Sequence, residues 1–258
     1  RRGVLLCAVQ GLLAKDLEAS KYPNLNELWK RSAWTFDAGA DGSLDPLASL
    51  GMLAWGVGST RSGLSSAAPG SARAGVSLLA RLESALTEVA TAALLDDPAL
   101  SGALVPGRVD LRVANASPRK GGTLAPAQDA LSRPTPLCVL AAWTRIALNG
   151  ADEAEASHAK ELAAVDKELG ALLAALRARP TFAAEDWWIA VAGLEPAPSK
   201  KKGAELELRA RTAVPLLIAA DGVPPGEILG EVGLVDLVPT ALAHLGLPPA
   251  APLLTPAR

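Results

Sequence analysis

Two histidines, His158 and His244, are the only imidazoles in a chain of 258 residues. General-base or metal chemistry must therefore draw on them or on carboxylates. His158 lies in the charged stretch EASHAK and is expected to face solvent, whereas His244 lies in ALAHLG and is expected to be a partly buried helix residue. Neither falls at ligand spacing from another His or Cys, so neither is expected to hold a metal. The two cysteines, Cys7 and Cys138, sit in the apolar runs GVLLCAV and PLCVLAA and read as buried free thiols. A disulfide between them requires adjacent strands with suitable geometry. No Ser/His/Asp order supports a nucleophilic triad.

The other polar clusters have ordinary explanations. GVGSTRSG at 56–63 has the glycines and hydroxyls of a phosphate cradle, but it does not follow a strand in the GxGxxG form. Asp41-Gly42-Ser43-Leu44-Asp45 is too short for a calcium loop and lacks its terminal glutamate. Lys200-Lys201-Lys202 reads as a solvated loop. Trp187 and Trp188 are neighbours on one strand, so they are expected to pack on opposite faces of a sheet instead of forming one stacking platform.

Composition narrows the classes. Half of the residues are hydrophobic but only 3% are aromatic, so the core must be built from Ala, Leu and Val. A net charge of −2 argues against a nucleic-acid binder. No apolar run approaches the roughly 20 residues that span a bilayer, so no membrane span is expected. The chain begins at Arg1 without a methionine. If that start reflects processing, an organelle or extracytoplasmic address is expected.

These residues must be held by alternating elements. Buried strands are expected at Gly3–Val9, Leu137–Trp143, Val214–Ala219 and Trp187–Ala192, the last ended by Gly193, with weaker candidates at Ala33–Ala38 and Val109–Val113. Helices are expected at 23–31, 46–55, 76–95, 152–179 and 235–245. In the fourth of these, Leu162, Val165, Leu169, Leu172, Leu173 and Leu176 make one apolar stripe. Strands alternating with helices imply an α/β fold with a mostly parallel central sheet covered on both faces. One domain is expected over 1–258, with residues 65–135 unassigned.

Three stretches together resemble the alkaline phosphatase superfamily, in its type I phosphodiesterase/nucleotide pyrophosphatase branch. They are VLLCAVQG with YPNLNELWKRSAWTFDA, the helix KELAAVDKELGALLAALRARP with the strand DWWIAVAG, and TAVPLLIAADGVPPGEILGEVGLVDLVPTALAHLGLPP. The resemblance covers about two thirds of the chain and is most specific in the closing Asp-x-x-Pro-Thr segment. It implies metal-assisted phosphoryl transfer, with two divalent cations on Asp and His side chains and a Ser or Thr nucleophile.

Position by position, the residues here depart from that pattern. Gln10 stands where the family has its first Asp. The nucleophile position falls near Pro46, with Ser43 and Ser49 as nearby hydroxyls, and Ser62 replaces a histidine. TRIALNGA after the Leu137–Trp143 strand supplies neither acid nor imidazole. Leu194, Glu195 and Pro196 replace Asp-His-Gly, and the last histidine position falls near Ala204. The family's centre needs about three histidines, and this chain has two.

The expectation from these losses is a catalytically inactive protein with no metal and no cofactor, acting as a structural or interaction subunit beside other protein subunits of a larger complex. Two alternatives stand beside it. One is an active metal-dependent phosphodiesterase or phosphatase whose ligands lie elsewhere. The other is an anion- or nucleotide-binding module using Arg61, Arg145 and the lysine run.

Overall fold

The computed structural model describes residues 1–18, 21–39, 46–56, 78–79, 82, 90–95, 111–114, 131, 137–144, 152–194 and 213–248. Seven strands in these residues form one sheet: β1 (Arg2–Gln10), β2 (Ala33–Gly39), β3 (Ala90–Leu95), β4 (Leu111–Ala114), β5 (Leu137–Trp143), β6 (Asp186–Leu194) and β7 (Ala213–Ala219). Their spatial order is β2-β7-β6-β1-β5-β3-β4. β1 pairs in parallel with β5 and β6, and β3 in parallel with β5 and β4, while β7 runs antiparallel to both β6 and β2. The described helices are α1 (Ala14–Glu18), α2 (Pro23–Lys30), α3 (Pro46–Trp55), α4 (Asp152–Arg177) and α5 (Leu237–His244).

Strand periodicity explains the layering. Val4, Leu6 and Ala8 of β1 join a core with Leu50 and Leu53 of α3 and Val238 and Leu242 of α5. Leu5, Cys7 and Val9 point the other way, into a core with Leu25 of α2 and the whole leucine stripe of α4. Burial on both faces is why β1 reads as a continuous apolar run. Trp187 and Trp188 divide between the same two cores, as adjacent strand residues must.

The cysteines divide in the same way. Cys138 pairs with Val4 and Cys7 with Ala141, so the thiols lie three residues out of register and on opposite faces. Three strand residues span about 10 Å, beyond what a disulfide can bridge. Burial pushes both thiols up, well above the usual thiol range.

Two strand expectations need correction. The helix expected over 76–95 is wrong at its end, because Ala90–Leu95 is the strand β3, lying between β5 and β4. Ala92 and Leu94 face the α4 layer, and Ala93 and Leu95 the α3 layer. A run buried on both faces lacks the alternation that would mark it as a strand, and pairing overrides the helical preference of its alanines. The unassigned region 65–135 thus contributes two strands, β3 and β4.

Gly193 does not end β6. It pairs with Val9, and the strand continues to Leu194. A Cβ at Gly193 would lie 2.8 Å from Pro215 Cδ and 3.1 Å from the Leu12 carbonyl oxygen. The glycine is a close-approach residue. Pro215 has no N–H to donate, and the β6–β7 ladder stops one pair earlier, at Ala192–Leu216.

The edge strand β2 is protected. Trp34 donates its backbone N–H to Glu227 O at 2.8 Å, Leu229 donates to Trp34 O at 2.9 Å, and Gly39 donates to Val232 O at 2.8 Å. These bonds occupy groups that would otherwise template pairing with another chain.

Candidate functional site

In a parallel sheet, chemistry gathers where strands end and helices begin. Here β1 ends at Gln10 and β6 at Leu194, and these two residues are direct cross-strand partners. The Gly11 N–H donates to Leu194 O at 2.9 Å, which ties the turn after β1 to the last residue of β6. Gln10 is buried, 6% exposed. Strand alternation puts its side chain on the α3 face, the same face as Leu194. Beside them β5 ends at Trp143, in register with Val9.

Pro46 opens α3, its fixed φ suited to a first turn. Ser49, in that first turn, is fully buried, and its Oγ has no hydrogen-bond partner. An unpaired buried hydroxyl costs roughly 1–3 kcal/mol. At the other end of α3 Gly56 takes φ +66°, the left-handed conformation that closes a helix, and donates to Met52 O at 2.7 Å.

Of the residues singled out from sequence, the structure joins Gln10 and Leu194. Ser43, Arg61, Ser62, Arg145, Glu195, Lys200-Lys201-Lys202 and Ala204 lie outside the described residues.

The histidines divide. His244 is half-buried, with Nε2 3.1 Å from the Asp186 carbonyl oxygen, as expected of a helix residue serving the fold. His158 is not solvent-facing. It is 5% exposed, with Nε2 3.0 Å from Oδ2 of Asp16, whose side chain is 4% exposed. The signal was present in the sequence: His158 stands four residues before Leu162 and so continues the apolar stripe of α4.

Asp166, also on that stripe, was missed. Its carboxylate accepts the Leu25 N–H at 2.8 Å and Asn24 Nδ2 at 2.9 Å. No side chain of its own segment caps α2. A carboxylate from α4 therefore takes up the free N–H at its third position, where a negative charge is also favoured. The closing Asp-x-x-Pro-Thr segment proves to be local architecture. Asp236 Oδ2 accepts the Gly233 N–H at 2.8 Å, and Thr240 Oγ1 donates to Asp236 O at 2.6 Å.

Metal ligation is a matter of donor type. Among the described residues no three His, Cys, Asp or Glu side chains converge. Gln10 offers a neutral amide, and both imidazoles are engaged elsewhere. The described residues do not fit a pair of dications. Also among the described residues, no helix is long and apolar enough to cross a membrane.

No protein-family model matches the chain, and no curated protein matches it in sequence. Solved structures do match. A protein in the alkaline phosphatase superfamily from Vibrio parahaemolyticus superposes with a TM-score of 0.67 at 12% identity, over 96% of this chain and 67% of that one. A 2-O GAG sulfatase gives 0.67 at 15%, over 98% and 72%. The phosphonate monoester hydrolase of Silicibacter pomeroyi gives 0.64 at 12%, over 95% and 73%.

These matches correct the expectation of a non-enzyme. It was drawn from missing ligand types alone, and the folds that this chain shares over nearly its whole length are, by name, those of a sulfatase and a hydrolase. The chain therefore has the α/β fold of the alkaline phosphatase superfamily, and its structural neighbours include enzymes of ester and phosphonate chemistry.

Proposed function

We propose that this chain is a hydrolase or transferase of phosphate esters, acting at the carboxyl edge of β1 and β6. The observation that carries the reading is the Gln10–Leu194 junction, where two parallel strands end side by side. α3 packs on the same sheet face as Gln10 and Leu194, and its start is proposed as the third part of the site, since a helix N-terminus favours an anion. Gln10 presents two amide N–H donors suited to an oxyanion. Glu195 follows Leu194 directly in the chain and is the nearest carboxylate in sequence, and Lys200-Lys201-Lys202 adds positive charge six residues beyond Leu194.

Within the superfamily the reading favours the phosphodiesterase/nucleotide pyrophosphatase branch. Its support is the sequence of the closing segment, whose Asp236, Pro239 and Thr240 carry the resemblance.

Binding is tested by thermal unfolding and calorimetry with inorganic phosphate, vanadate and sulfate. A ligand that binds the folded chain alone raises its melting temperature by several degrees at a hundredfold excess over its dissociation constant. The expected result is a rise with phosphate and vanadate that Gln10→Leu abolishes. No rise with any oxyanion overturns the site, and a rise with sulfate alone overturns the phosphate assignment.

A further inference from the structure

We propose that Asp16 and His158 form a positioning clip for this site, holding the turn that links Gln10 to α1. The inference rests on the reading of the carboxyl edge given above. Asp16 stands at the third position of α1, and its Oδ2 accepts the Leu13 N–H at 3.0 Å, while its own N–H donates to Leu13 O at 3.0 Å. The same Oδ2 lies 3.0 Å from His158 Nε2, contributed by α4 from 142 residues away. Leu13 is three residues from Gln10, and between them the Gly11 N–H holds Leu194 O. Residues 11–13 are therefore tied at one end to α4, through Asp16, and at the other to the end of β6, through the Gly11 N–H.

The location of His158 argues for geometry over stability. It occupies a position on the apolar stripe of α4, where the neighbouring stripe positions are Leu and Val. With Nε2 facing the carboxylate, Nδ1 is left buried with no hydrogen-bond partner. A buried unpaired nitrogen is destabilising, and apolar replacement of a buried polar pair is often neutral or stabilising. Local breaches of packing rules of this kind concentrate where a site must be held in place. A carboxylate oxygen that already accepts one backbone N–H is fixed in direction by a second donor, in the manner of outer-shell groups that orient site residues. Neither residue is placed against a substrate, so both are positioning residues.

The test uses the full chain carrying His158→Leu or His158→Gln, the amide of glutamine reaching about as far as Nε2 and donating similarly. Amide hydrogen exchange is followed at residues 11–13 and across β5, with kcat and KM measured on a chromogenic phosphodiester. The expected result for His158→Leu is exchange at 11–13 faster by about tenfold or more with β5 unchanged. Its kcat falls by about tenfold or more while KM stays within about twofold, and His158→Gln restores both readouts.

Unchanged exchange at 11–13, or loss of protection in β5 as well without rescue by glutamine, overturns the clip. If His158→Leu does not fold, Asp16→Asn, which preserves the volume, is read in the same way: faster exchange confined to 11–13 supports the clip and unchanged exchange overturns it. A wild-type chain that turns over no ester defeats the functional reading, yet the exchange measurement still decides the clip. A loosened turn with unaltered kcat in an active chain overturns the positioning role.

Discussion

Arg179 and Glu185 meet in a two-point ion pair, Nε to Oε2 at 2.8 Å and Nη2 to Oε1 at 2.7 Å, with side chains 1% and 3% exposed. Thr181 Oγ1 and Trp187 Nε1 also donate to this carboxylate, at 2.7 and 2.8 Å, and Arg179 Nη1 reaches Leu131 O. The guanidinium further stands 5.4 Å from the Trp187 ring centroid. Each carboxylate oxygen accepts two bonds and each guanidinium nitrogen donates at least one, the kind of matching under which a buried pair is tolerable. The cluster joins the end of α4 to the start of β6, at the opposite edge of the sheet from the candidate site.

Its first consequence is a pH dependence of stability. The Arg179 hydrogen bonds, opposed by burial, hold the Glu185 carboxyl down at about 2, against an ordinary 4.5. A depressed carboxyl stabilises the fold above its unfolded value, and that contribution is lost as the pH falls from about 4.5 through about 2. Glu185→Gln leaves the arginine buried without its counter-charge and is expected to cost about 3–5 kcal/mol at pH 7. Urea unfolding at pH 7, 4 and 2.5 should show the gap between wild type and variant narrowing as the pH drops. A gap independent of pH contradicts the assignment.

Asp166 gives a second test. It holds the first turn of α2 from another helix, so Asp166→Ala should cost about 1–3 kcal/mol through loss of two charge-assisted bonds, one of them the cap. Asp166→Asn, which keeps an acceptor oxygen, should lose less. Thermal unfolding measures both, and a loss under about 0.5 kcal/mol for the alanine variant, the range of ordinary surface changes, contradicts the capping role.

Gly193 and Pro215 form a third. Adding a Cβ at Gly193 forces a contact at 2.8 Å, so Gly193→Ala is expected to destabilise by about 1–3 kcal/mol. Pro215→Ala should relieve part of that loss, because it removes the ring atoms that the new methyl meets. A double-mutant cycle shows whether the two changes couple, and strict additivity contradicts the close-approach account.

The thiols supply a fourth. Cys7 and Cys138 are buried, on opposite faces of the sheet, and burial pushes both well above the usual range. Neither should react with an aromatic disulfide reagent in the native chain, and both should react in denaturant. Rapid native labelling, or a disulfide between them after oxidation of the folded protein, contradicts the register of β1 and β5.

The fold was legible where periodicity was strong. The α4 stripe and the split of Trp187 from Trp188 follow from spacing, while β1 and β5 follow from short apolar runs rich in Val, Leu and Cys. Ala90–Leu95 was misread because a strand buried on both faces carries no alternation and alanine favours a helix. His158 and Asp166 were illegible as partners for a different reason. Their places on the apolar stripe could be read, but Asp16 and Asn24, which they meet, lie 142 residues away in sequence. For the candidate site, Gln10 and Leu194 could each be read as the end of a strand, and the structure makes them cross-strand partners. Donor types alone suggested inactivity, whereas structural neighbours of the same fold include a sulfatase and a phosphonate monoester hydrolase.

The central claim is that the carboxyl edge cleaves or transfers a phosphate ester. It is tested most directly by nitrophenol release from a phosphodiester, a phosphate monoester and a sulfate ester, with zinc, manganese, magnesium or calcium supplied in turn. The account predicts turnover of the phosphodiester above the sulfate ester, reduced by about a hundredfold or more in Gln10→Leu, the scale of losing one oxyanion donor. No release from any ester with any of the four cations, or release that Gln10→Leu leaves unaltered, contradicts it.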